Sequence, residues 1–419
     1  MDLEAVGDLV LHTIISNLTP KDTAVAACVS NKLKSSASED ILWSKFCFQE
    51  LDLNEPIDPF GNLTPSFKAC YQAWREAFSM YPWPLVMRVK RCWGRLKNWL
   101  SINFPEAEAT LRKGISEVEI QESERILKVK FPLPARILYR FCDGQEFNPE
   151  KSSGSAGGSL LGLIGGYSYY THLVNVFLLP LNEVVLNTKA IIRHIRLFSR
   201  NKYVVVAASY TESEKFFFLN CTTGQLHVGT VNLATEGEMI PCVPNALISS
   251  VHDSNGDQQQ DAMLLWLEEH ARRLENGMIK LREERGTRSI SLFPEEPPFC
   301  STAITNGVKV RASAVFVPEI ADLQNETTNS CQLHWRHWII RANDRVEADF
   351  NGEAVIGQYP LLLPGEKEFV YESCTPLPTS SGSVEGSFTF VPGRLADPKG
   401  APFEVEVARF PLQLPDYIF

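Results

Sequence analysis

The sequence predicts a multidomain fold: a small all-α unit, then an α+β domain, then an all-β sandwich or barrel. Three observations predict it. The chain has 419 residues, and at about 150 residues per domain that length asks for two or three cores. Apolar residues recur every three or four positions in the first fifty residues, whereas from about Gly307 onward they alternate with polar ones. These are the periods of helix and of strand.

Residues 1–50 read as three short helices. Val10, Ile14 and Leu18 are spaced by four, with Leu11 and Ile15 beside them, so they line one helical face. Thr19-Pro20-Lys21-Asp22 starts a second helix, with a Thr cap, Pro where its missing N–H costs nothing, and Asp three residues after the cap. Ala24, Ala27 and Cys28 are expected on its inner face, and a third helix is expected from Ser38 with Leu42, Trp43 and Phe46 on its apolar side. So short a unit buries too little surface to be secure alone. The apolar excess of Leu9, Leu11, Ile15 and Leu18 therefore asks for a partner.

Residues 51–87 carry five prolines and read as a hinge with a short helix near Phe67 to Phe78. From Arg88 to Lys113 seven basic residues stand among Trp93 and Trp99. That is either a nucleic-acid patch with stacking aromatics or an amphipathic helix with its tryptophans in a core. The balance of 40 basic against 50 acidic residues, a net charge of −10, favours the helix, because a general nucleic-acid binder carries the opposite sign. A cap-like Ser116-x-x-Glu119 starts another helix, a further helix ends at Asp143-Gly144, and Lys151 to Ser159 is a Gly/Ser-rich loop. Strands follow at Val174 to Leu179, Tyr203 to Ala208 and Lys215 to Leu219, the last turning at Asn220 to Gly224. Helices followed by antiparallel strands make residues 88–250 an α+β domain.

Residues 251–302 read as a linker holding one amphipathic helix, with Leu264, Leu267, Ala271, Leu274, Met278 and Leu281 stepping by three and four. That helix is either a coiled-coil seam or packed on a neighbouring domain. Residues 303–419 are the all-β domain, with strands at Val308 to Ala314, Leu333 to Arg341, Phe369 to Glu372, Ser387 to Phe390 and Phe403 to Phe410.

No catalytic constellation emerges. His334 and His337 lie three apart on an expected strand, so they face opposite ways and do not share a metal. Gly352-Glu353-Ala354-Val355-Ile356-Gly357 nearly spells a dinucleotide fingerprint but lacks the βαβ unit around it, so a strand-connecting turn is expected. The ten cysteines are scattered singly with no C-x-x-C pair, which makes reduced thiols in the cytosol or nucleus the expectation. Asp2, Glu4 and Asp8 interrupt any signal-like start, and the longest apolar runs, such as Tyr203 to Ala208, are far short of a bilayer span. A soluble chain with no cofactor, metal or membrane contact is expected.

Three families resemble these regions. Leu9 through Ile14, Leu18, Pro20, Asp22, Val29 and Ile41-Leu42-Trp43 resemble an F-box, with Gly7-Asp8 in place of the usual Leu-Pro and Lys32-Leu33 in place of the usual basic-Trp pair. Ile115-Ser116 to Glu124, Phe131 to Pro134 and Asp143-Gly144 resemble the SUKH superfamily, an α+β binding fold. Leu333 to Ile340, Val355-Ile356-Gly357-Gln358-Tyr359-Pro360, Leu363-Pro364-Gly365, Phe369-Val370-Tyr371, Gly386-Ser387-Phe388 and Phe410-Pro411-Leu412 are similar to the ApaG domain, a fibronectin-III-like sandwich. Ala354 replaces that family's middle glycine.

F-box, SUKH and ApaG modules in this order imply a non-catalytic substrate receptor of an SCF ubiquitin ligase. The resemblance implies that Leu9, Leu11, Ile14, Ile15, Leu18, Pro20, Asp22, Val29, Leu42 and Trp43 dock a Skp-family adaptor, and through it a cullin. The later domains then hold an unknown target protein. The candidate loop for a ligand or target holds Gly352, Glu353, Ala354, Gly357, Pro360, Pro364 and Gly365. The alternative is a small-molecule or polyphosphate sensor, or an enzyme, built on the ApaG domain.

Overall fold

The computed structural model describes residues 7–146, 160–169, 172–195, 202–210, 214–230, 239–248, 250–252, 258–284, 287–318, 335–353, 355, 360–362 and 368–419. Two compact units divide the chain, residues 1–93 with 113–115, and residues 94–112 with 116–419.

The first unit is helical: α1 (Asp8–Ile15), α2 (Pro20–Ala26), α3 (Asn31–Ser36), α4 (Asp40–Leu51), α5 (Phe67–Ala77) and the first half of α6 (Trp83–Asn103). Thr19 caps α2 as its sequence requires, its hydroxyl accepting the Asp22 N–H with Pro20 in the first turn. The inner face of α2 is Pro20 and Thr23 rather than Ala24, Ala27 and Cys28. The unit has one helix more than expected, because Ser30 caps the short α3 by accepting from the Leu33 N–H.

Residues 51–87 are no hinge. The α5 residues Cys70, Tyr71 and Trp74 are buried, the Tyr71 hydroxyl donates to Glu50 at 2.6 Å, and the Asp40 carboxylate accepts the Phe67 N–H at 2.8 Å. Five prolines suggested looseness, but α5 and α4 share one aromatic core in which Trp43 lies 5.4 Å from Tyr71. On α6, Trp93 is buried and Lys90 lies over the Trp74 ring. In the second unit Arg95 pairs with Glu275 and Arg112 with Asp143. Trp93, Lys90, Arg95 and Arg112 thus follow the amphipathic-helix reading, while Arg91, Lys97 and Lys113 are exposed.

The second unit is built on an eight-stranded sheet. Its spatial order is Lys280–Glu284, Thr287–Ser291, Gly165–Tyr169, His172–Leu178, Tyr203–Tyr210, Glu214–Asn220, Leu226–Thr230 and Ile240–Pro241. All neighbours are antiparallel except Thr287–Ser291 beside Gly165–Tyr169. Val204 to Ala208 are buried without interruption, the signature of a strand covered on both faces. The helix Glu117–Leu127 starts with a complete Ser116/Glu119 capping box. Gly165 has φ +85, and a Cβ there would meet the Ile290 carbonyl at 2.3 Å, so only glycine lets the two strands approach.

Residues 251–302 are not a linker. The helix Ala262–Glu275 buries Trp266, Leu267, His270, Ala271 and Leu274 and packs on the helix Leu133–Phe141. It stops at Asn276-Gly277, so Leu281 belongs to the edge strand Lys280–Glu284 instead. Both readings of this helix asked what its apolar face packs on; the partner is its own domain.

The all-β part begins earlier than residue 303. The hairpin Cys300–Thr305 and Val308–Ser313 turns at Asn306-Gly307 and lies against the strand Phe403–Gln413. That strand ends a four-stranded antiparallel sheet ordered Arg345–Glu353, Trp335–Ala342, Ser381–Phe390 and Phe403–Gln413. Ile340, Val355, Val384, Phe388, Val407 and Phe410 form the core. Phe369 and Tyr371 pack on it from an extended segment with no ladder partner, so the strand expected at Phe369 to Glu372 is absent.

Candidate functional site

The first unit leaves apolar side chains outside its own core, and helix phase decides which. In α1, Leu11 and Ile15 are 1% exposed, whereas Val10 and Ile14 are 54% and 43% exposed. Residues four apart share a helical face, so Val10 and Ile14 form one outward stripe. In α4, Leu42, Trp43, Phe46 and Cys47 turn inward, while Ile41 and Phe48, two turns apart, are exposed. Val25 and Val29 are exposed as well. The inward set is held firmly: the Trp43 Nε1–H donates to the Ala37 carbonyl at 2.8 Å, and its ring meets Phe46 edge-on.

Of the ten residues expected to dock an adaptor, Ile14, Asp22 and Val29 are exposed and Leu18 is half-buried. Leu11, Ile15, Pro20, Leu42 and Trp43 are buried, and the side chain of Leu9 lies outside the described residues. The correction has a simple cause. A short helix that is apolar over most of its circumference shows its period without its phase, so inward and outward residues look alike. Val10, Val25, Ile41 and Phe48 were missed for the same reason. The signal available was Ile41-Leu42-Trp43 with Phe46-Cys47-Phe48, more apolar residues than one face of a helix can hide.

The thiols offer no nucleophile here. Burial pushes Cys47 up to about 12 and raises Cys70 as well, which keeps both protonated and inert. The nine described cysteines are all free. Among the described residues no cluster of His, Cys, Asp and Glu is suited to a metal, and no described helix is long and apolar enough to cross a membrane.

Residues of the second unit that carry the SUKH-like pattern serve as ties. Glu124 accepts the Phe131 N–H at 2.8 Å, and Asp143 accepts from the Leu181 N–H at 2.7 Å and Arg112 Nε at 2.9 Å. Gly352 and Glu353 lie in the strand Arg345–Glu353, paired with Arg336 and Trp335, and not in the expected turn. A Cβ on Gly352 would meet only the Arg336 side chain at 3.5 Å, an ordinary contact, so nothing at this position requires glycine. Pro360 is half-buried, and Ala354, Gly357, Pro364 and Gly365 lie outside the described residues, as does His334. His337 faces Asp349 at 2.9 Å.

Residues 311–392 match the ApaG domain family, a fibronectin-III-like fold. Over the full length of both chains the sequence is 56% identical to F-box protein SKIP16 of Arabidopsis thaliana. It is 24% identical to F-box only protein 3 of Homo sapiens, covering the whole of this chain and 84% of that one. Protein ApaG of Bradyrhizobium sp. (strain ORS 278) is 32% identical over 127 residues, which cover 27% of this chain and 93% of the relative.

Proposed function

The chain belongs to the family of F-box protein SKIP16, and from that premise we propose that it is the substrate-recognition subunit of an SCF ubiquitin ligase. Its first unit is an F-box that docks a Skp-family adaptor, and through it a cullin. The SUKH-like sheet domain and the ApaG domain hold the target protein. The observation that carries this reading is the outward stripe of Val10 and Ile14, with Ile41, Phe48, Val25 and Val29, over a core already closed by Trp43. Exposed apolar side chains on an otherwise well-packed surface mark an interface. Such a receptor needs no catalytic group, because tethering a target beside the charged conjugating enzyme raises its effective concentration.

Replacing Val10 and Ile14 together by Asp tests the adaptor contact. Central apolar anchors contribute at least ~2 kcal/mol each to an interface, so co-purification with a Skp-family adaptor should be abolished. Undiminished adaptor binding by a double variant with an unchanged melting profile overturns the F-box role.

A further inference from the structure

After the strand Phe403–Gln413 the chain leaves the ApaG sheet, and residues Asp416 to Phe419 lie on the sheet domain. The Ile418 N–H donates to the Cys242 carbonyl at 3.1 Å, and the Trp266 Nε1–H donates to the Ile418 carbonyl at 2.8 Å. Lys215 Nζ donates to the Phe419 backbone oxygen at 2.7 Å and to the Tyr167 hydroxyl at 2.7 Å. The Phe419 ring stacks on Trp266 at 5.6 Å, lies 5.4 Å from the His270 ring, and has the Arg273 guanidinium 4.7 Å from its centroid. Ile418 and Phe419 are both buried.

What receives them is built as a site. Lys215, Trp266 and His270 have no exposed surface at all, and a buried ammonium is stable only where acceptors face it. Part of what faces Lys215 comes from the segment itself. His270 adds a second sign, since its Nδ1 is buried with no hydrogen-bond partner while its ring lies against Phe419. A hydrogen-bonding cation, an indole N–H and three ring or guanidinium faces make a peptide subsite: two donors for successive carbonyls and a slot for an aromatic side chain. A cleft of about 2490 Å³, lined by Arg272, Arg273 and Met278 on one side and Tyr371 and Leu412 on the other, reaches Tyr417 to Phe419. The segment thus borders open space.

We propose that this pocket is a peptide receptor which the chain fills with its own Ile418-Phe419. When the segment lifts out, the pocket takes in trans an extended segment of the same chemistry, an aliphatic residue followed by an aromatic one, whose two carbonyls meet Trp266 and Lys215. It extends the receptor reading by naming the chemistry of a target, but the test needs no adaptor, so the two stand or fall separately.

The test uses the full chain with a specific protease site inserted between the exposed Gln413 and Leu414, so that folding occurs with the segment attached. After cleavage, a fluorescent blocked peptide, acetyl-Asp-Tyr-Ile-Phe-amide, is titrated in. Saturable binding to the cut protein, at least about tenfold tighter than to the uncut one, is expected. Lys215→Met in the cut protein should lose about tenfold, and a Phe-to-Ala peptide at least as much. Cut protein that keeps its melting profile but binds the peptide no better than uncut protein overturns the proposal. So does equal binding of the Phe and Ala peptides.

Discussion

His270 sits in the helix Ala262–Glu275 with its Nε2–H on the Leu163 carbonyl at 2.8 Å and its Nδ1 without a partner. Burial lowers it from 6.5 to about 4, because a second N–H would have no acceptor in a dry site. His227 is lowered by burial too, with its Nδ1 likewise unpartnered. A group held below its unfolded value binds protons more readily when the chain unfolds. The stability it supports is therefore present above pH 6.5 and drains away as pH falls toward 4. Between pH 7 and pH 5 the loss from His270 alone should be about 2 kcal/mol. His270→Gln keeps a donor for Leu163 without the titration, so its unfolding free energy should fall less over that interval. Equal slopes for variant and parent in urea unfolding at the two pH values would show that His270 is not held neutral.

At the scale of elements, α4 separates two kinds of apolar residue within one step of chain. Ile41 is 70% exposed and Leu42 is 2% exposed. Ile41→Asp should shift stability by no more than about 0.5 kcal/mol, whereas Leu42→Asp puts an unpaired charge into the Trp43 core and should unfold the unit. Near-ultraviolet circular dichroism checks both, and a folded Leu42→Asp variant would mean that the helix phase is wrong. The same contrast explains what could be read in advance. The Thr19-Pro20-Asp22 cap, the Ser116/Glu119 box and the Asn220-to-Gly224 turn were legible because each depends on neighbours within four residues. The buried docking of Ala262–Glu275 was not, since its partner Leu133–Phe141 lies far off in the chain, whereas the strand Lys280–Glu284 pairs locally, Glu284 opposite Thr287, and was hidden because its charged residues carry no apolar alternation. The outward apolar stripe was half legible: the helices that carry it could be read, but only packing tells Ile14 from Ile15.

For the whole molecule the question is how many cooperative pieces the chain makes. The sequence reads as an F-box, a sheet domain, a linker and a separate β domain, and that reading makes residues 303–419 a self-sufficient fold. Several ties cross the expected boundary instead. Glu295, 8% exposed, takes Arg282 at 3.1 Å from the sheet edge and Arg311 at 2.9 Å from the hairpin. Burial works against its charged form, but these guanidiniums and Lys280 hold the carboxyl below its usual range. Glu372 accepts the Ser168 N–H at 3.0 Å, and the buried Lys215 is coordinated by Phe419. Breaking one partner of a buried ion pair costs about 3–5 kcal/mol, because the remaining charge stays in place. Calorimetry of the full chain should therefore show two transitions, one for each compact unit, and Glu295→Leu should split the larger into two by leaving Arg282 and Arg311 opposed across the junction. Three transitions in the unaltered chain would make the ApaG domain an independent cooperative fold and the Glu295 cluster a contact of no energetic consequence.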